Sequence, residues 1–122
     1  MSYNIDTFKV KKLENLRIPV KSLFKYERED WHPERENNDD GTVTFAVGEA
    51  SSITGKIENG TLIVSEIECY GECSGIAMND IFEPALKDSK GELIASCVWE
   101  GGDSINQIIV KNGTVFWKNI DI

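Results

Sequence analysis

Histidine is almost missing from this chain. Its 122 residues contain one, His32. Any Ser–His or Cys–His pair would have to recruit that side chain, which is followed by Pro33, and no nucleophile signature stands elsewhere. A Gly-x-Ser-x-Gly elbow, a P-loop and a dinucleotide-binding glycine fingerprint are also missing. Gly101-Gly102 lies between two expected strands, so no helix N-terminus is there to hold a phosphate. The expectation is a protein that is not an enzyme.

Cysteine is scarce as well. Cys69, Cys73 and Cys97 make an odd number and contain no Cys-x-x-Cys, which argues against a disulfide framework. A structural zinc needs four ligands of Cys, His or carboxylate type, and with one histidine and no Cys-x-x-Cys spacing none is expected. Cys97 reads as a small buried hydrophobe in a strand, and Cys69 and Cys73 as neighbours across a bend. No metal or other cofactor is expected. No apolar run approaches the ~20 residues that span a bilayer, so no membrane partner is expected either. Met1 to Asp6 has neither a basic start nor an apolar h-region, and the expected address is the cytoplasm.

What is present is acid. The net charge is −8, and it is unevenly spread. Residues 1–25 carry a net of +4, residues 27–40 a net of −5 and residues 41–122 a net of −7. Such a chain is a poor direct ligand for nucleic acid, whose phosphates demand a basic surface. It suits a basic protein, because long-range attraction speeds association and selects the partner. With 40% apolar and 28% charged residues the chain should fold, and residues 1–122 read as one domain.

The clearest local signals are two Asn-Gly pairs. Asn-Gly supplies the two positive-φ residues that a two-residue hairpin turn requires. Asn112-Gly113 predicts strands over Ser104–Lys111 and Thr114–Ile122. Lys111 should then face Thr114, with Val110 facing Val115, Ile109 facing Phe116 and Ile108 facing Trp117. A preceding strand is expected over Glu92–Glu100. Asn59-Gly60 predicts a second hairpin, Ser52–Glu58 with Thr61–Tyr70, in which Ile57 meets Leu62 and Gly55 faces Val64. The two hairpins echo each other at an offset of 53 residues, which is what one turn problem solved twice produces.

Elsewhere the pattern is less regular. Thr7–Leu16 reads as a short helix capped by Asp6, with Phe8, Leu13 and Leu16 on its apolar side. Ile18–Tyr26 alternates like a half-buried strand, and Pro19 with two lysines suggests an edge. Thr42–Glu49 is an expected strand. Met78, Ile81, Phe82, Ala85 and Leu86 fall at helical spacing, with Pro84 inside the pattern. Either a helix begins at Pro84 or a kinked helix runs from Asn79 to Asp88. The expected fold is mainly β, or α+β, with six or seven strands. They would form an antiparallel sheet or a β-sandwich of two hairpin-containing halves, with one or two short helices.

Glu27–Gly41 is polar and acidic and reads as a long loop. Loops beyond ~12–15 residues are usually functional or disordered. Its oxygen-rich run fails as an EF-hand, because the position of the closing glutamate is Val47 and no helices flank it. As a partner-binding surface it offers Glu27, Glu29, Asp30, Glu34, Glu36, Asp39 and Asp40, with Trp31 either tucked back onto the domain or exposed as an aromatic anchor. Glu100 and Asp103, around the Gly101-Gly102 turn, form an alternative acidic site for a cation or for a partner's Arg or Lys.

Trp99-Glu100-Gly101-Gly102-Asp103-Ser104-Ile105, Val110-Lys111-Asn112-Gly113 and Ile120-Asp121-Ile122 together give the chain its C-terminal quarter. This tail resembles those of small acidic bacterial immunity proteins of contact-dependent and polymorphic toxin systems. The resemblance implies an inhibitor that binds one cationic, toxin-like protein, such as a nuclease, and blocks it. The alternative is a β domain that binds a small molecule or a cation. Unpaired edge strands would also suit a homo-oligomer.

Overall fold

The computed structural model describes residues 4–25, 33–48, 50–102 and 105–120. Their strands form one antiparallel sheet of eight: β1 (Ile5–Pro19), β2 (Glu34–Asn37), β3 (Val43–Ala46), β4 (Ser52–Glu58), β5 (Thr61–Glu68), β6 (Lys90–Trp99), β7 (Ile105–Lys111) and β8 (Thr114–Ile120). The spatial order is β2-β3-β4-β5-β1-β6-β7-β8. There is one sheet, not a sandwich, and the first strand is its middle.

Both Asn-Gly hairpins form in the expected register. Ile57 opposes Leu62 and Gly55 opposes Val64. Lys111 opposes Thr114, and Ile108 opposes Trp117. The turn residues have positive φ, 51° and 76° at Asn59 and Gly60, 47° and 87° at Asn112 and Gly113. That is the twist two-residue hairpins favour. The hairpins do not occupy equivalent places, however: β5 lies against β1, whereas β8 is a free edge of the sheet.

The stretch expected to be a helix over Thr7–Leu16 is the central strand β1. Its inward residues are Ile5, Phe8, Val10, Leu13, Leu16 and Ile18, all buried or packed against the core. Register shifts fall between Ile5 and Thr7, Val10 and Lys12, and Glu14 and Arg17. Each bulge inserts a residue and turns a step of two into a step of three. The resulting spacing imitates a helix face. Ile18–Tyr26 is not an edge strand either. β1 ends at Pro19, flanked by β5 and β6, and Val20–Phe24 is a 3₁₀ turn. Tyr26 lies outside the described residues. The turn is tied down by Ser22, whose hydroxyl donates to Asp88 at 2.8 Å, and by a 2.7 Å ion pair of Lys25 with Asp88.

One helix, α1, covers the inner face. It starts earlier than expected and is built from Ser74–Ile76, a π-helical Ala77–Phe82 and Glu83–Leu86. The Glu83 N–H bonds back to the Met78 carbonyl, a five-residue step. Pro84 has no N–H and its ring would press on the carbonyl four residues back, so the wider turn before it removes the conflict. Ala77, Met78, Ile81, Phe82, Ala85 and Leu86 are buried in the same cluster as Leu93, Ala95, Cys97, Ile108 and Val110.

Candidate functional site

The acidic stretch is partly a strand. Glu34–Asn37 forms β2, the outermost strand beyond β3, with all four residues exposed. The turn that follows is built by short polar side chains. The Gly41 N–H donates to the Asn38 carbonyl at 3.2 Å, and Asn38 N–H to the Thr42 carbonyl at 2.9 Å. Asp40 accepts from the Thr42 N–H at 2.9 Å and from its hydroxyl at 2.6 Å. These bonds hold the Asp40 carboxyl below the usual carboxylate range, the side-chain bond contributing most. Asn38 donates to the hydroxyls of Thr42 and Thr44, and Thr44 shares a 2.9 Å bond with Thr54. A polar ladder thus runs from the turn across β3 to β4 on the outer face.

The sheet register builds an acidic surface around that ladder. Glu36 opposes Thr44, Thr44 opposes Thr54 and Thr54 opposes Glu66. The next row runs Glu34, Ala46, Ser52, Glu68. Directly paired residues share a face, so Glu34 and Glu36 stand on the same side as Glu66 and Glu68. The two pairs are separated by three strand spacings, about 14 Å, over a floor of Thr, Ser and Ala. Asp39 and Asp40 extend the acid at the exposed tip.

Burial, and next the hydrogen bond and charge of Glu66, push the Glu68 carboxyl above its ordinary range. The two glutamates therefore crowd each other, and a cation placed between them would relieve the crowding. The basic segment, β1, pairs with β5 and lies four strand positions, roughly 19 Å along the sheet, from β2. Its Lys12 is already paired with Glu92 at 2.5 Å.

Of the expected partner-binding residues, Glu34, Glu36, Asp39 and Asp40 are exposed on this hairpin. Glu27, Glu29, Asp30 and Trp31 lie outside the described residues, as do His32 and Asp103. The structure brings Glu34 and Glu36 together with Glu66 and Glu68, two residues that the sequence offers no reason to join to β2. The signal for Glu66 and Glu68 was their alternation along β5, but their neighbours depend on strand order. Glu100 is exposed at the end of β6, where its N–H donates to the Asn4 carbonyl at 2.8 Å and the Gly102 N–H closes a turn on Trp99.

Among the described residues no group of three or more His, Cys, Asp or Glu converges to hold a metal ion. Cys69 and Cys97 are fully buried, and burial pushes both thiols up to about 12. No helix among the described residues is long and apolar enough to cross a membrane. No protein-family model matches the chain, and comparison with curated proteins and with solved structures finds no match.

Proposed function

We propose that the acidic outer face of β2–β5 docks a cationic protein, and that the protein acts by binding and blocking that partner, as an immunity-type inhibitor does. One observation carries this reading: Glu34 and Glu36 from β2 and Glu66 and Glu68 from β5 share one face across a small, neutral floor. A surface of this kind steers a basic partner to itself and fixes its orientation. The floor of small side chains lets a lysine or arginine lie down between the two acidic rows. The outermost strand β2 adds unpaired backbone groups that a partner strand can use. Solvent-exposed charges govern the rate of association more than its final affinity, so the acidic face acts mainly on how fast the partner arrives.

The experiment is capture from extracts of the native host at low and high salt, followed by kinetics on the purified pair. The expected partner is a basic protein whose activity stops on binding. Its association should slow with salt, and should slow by at least about tenfold when Glu36 and Glu66 are both changed to Lys. A captured protein that binds the wild type and the Glu36→Lys/Glu66→Lys variant at the same rate would overturn the role of this face. Capture of no basic protein at either salt would overturn the inhibitor reading itself.

A further inference from the structure

At the opposite edge of the sheet from β2, on the inner face, lies a notch lined by Asn79, Trp99, Asn106 and Trp117. Its volume is about 340 Å³. The two indoles form its wall. Their ring centroids are 6.4 Å apart and their planes are tilted by 49°. The rings touch each other, so a ligand lies on the open V of the pair and not between them. Trp117 is held in place by its indole N–H, which donates to Glu83 of α1 at 2.5 Å. Its polar edge is thereby used, and its face is left for contact.

The rim is supplied by two amides. Asn106 stands on β7 between the strands that carry the tryptophans, and Asn79 reaches in from the π-helical part of α1. Neither side-chain amide bonds to another described residue. A π-helical turn widens the helix and redirects the side chains it carries, and such turns are frequent at functional sites. Here the turn that accommodates Pro84 also carries Asn79.

We infer that this notch binds a neutral sugar ring. Three features select that chemistry. Among the described residues no charged side chain lines the notch, which disfavours phosphates and carboxylates. Each amide both donates and accepts, which matches vicinal hydroxyls, themselves donors and acceptors. A V of tilted indoles fits the thick C–H face of a puckered ring, whereas a flat base would be better served by parallel faces. The inference is independent of the acidic face, which occupies the other edge and the other side of the sheet.

The test is a titration of isotopically labelled protein with methyl glycosides of neutral hexoses and N-acetylhexosamines and with their disaccharides. Adenosine and glucuronic acid serve as comparators. At least one neutral sugar should saturably shift the indole N–H signals of Trp99 and Trp117 and the side-chain amides of Asn79 and Asn106, with no dependence on salt. Asn79→Ala, an exposed position on α1 that leaves the fold intact, should weaken binding about fivefold, the loss of one net hydrogen bond. Trp99→Ala should remove it. Silence of these signals across the sugar panel overturns the inference. So does preference for adenosine or glucuronic acid, or sugar binding that Asn79→Ala and Trp99→Ala leave unchanged.

Discussion

The carbonyl oxygen of Asn15 occupies the place where a side chain at position 91 would begin. A Cβ built on Gly91 falls 2.1 Å from that oxygen and 2.4 Å from its carbon. Asn15 has φ 51° and sits in the last bulge of β1, while Gly91 has φ 90° at the start of β6. The bulge and the glycine are two halves of one close approach. Gly91→Ala should therefore destabilise the fold by about 2–4 kcal/mol, from backbone strain and displacement of a central strand. Gly101→Ala should cost only about 1–2 kcal/mol, since its φ of 76° is equally strained but nothing lies within 4 Å. Urea denaturation of the two variants checks the difference. Equal losses would show that the contact with Asn15 does not constrain the strand.

Trp117 and Glu83 tie β8 to α1. The bond is partly buried, and cutting it leaves an indole N–H without its partner. Glu83→Ala should cost about 1–2 kcal/mol, whereas Glu83→Gln, which keeps an acceptor oxygen, should cost less. Thermal melts of both, read with Trp117 fluorescence, test this. If the two variants melt alike, the bond contributes little.

Acid should destabilise the protein. Asp88 is held below its ordinary range by hydrogen bonds from Lys25 and then Ser22, and Glu92 by its bond to Lys12. A carboxylate whose folded pKa is depressed contributes stability above its unfolded value near ~4, and that contribution is lost as pH falls through the folded value. Melting temperature should thus fall as pH drops below about 4, and Asp88→Asn should fall less steeply.

Glu68 has the opposite sign. Its raised pKa is a penalty present above the folded value, and the penalty fades as pH falls toward the unfolded one. Glu68→Gln should therefore melt higher than the wild type at pH 7, and the difference should vanish near about pH 4. A variant that melts lower at neutral pH would contradict the crowding of Glu66 and Glu68.

Thiol reagents should see one cysteine in the native state. Cys73 is half-buried, whereas Cys69 and Cys97 are fully buried with thiols pushed up to about 12. At pH 8 the native protein should label at Cys73 alone, and the other two only after unfolding. Mass spectrometry of the labelled peptides decides it. Rapid labelling of Cys97 would mean that the core opens locally near β6.

Much of the local structure was legible in the chain. Asn59-Gly60 and Asn112-Gly113 determined two hairpins and their registers, because a two-residue turn leaves no freedom in pairing. The apolar stripe from Met78 to Leu86 determined a core-facing helix, although not its start, since the π turn that absorbs Pro84 depends on packing as well as pattern. The net charge and the acidity of residues 34–40 were also plain.

The placement of those pieces was decided by tertiary structure. β1 imitates a helix because its three bulges break the two-residue period, and bulges arise from pairing with β6. Strand order put the first strand in the middle and β2 at the rim, which no nearest-neighbour pattern encodes. The meeting of Glu34 and Glu36 with Glu66 and Glu68, and of Trp99 with Trp117 and Asn79, needs contacts between residues far apart in the chain. Turns are short-range and follow from their own residues. Faces and notches belong to the folded sheet, because the residues that form them become neighbours only when it closes around its helix.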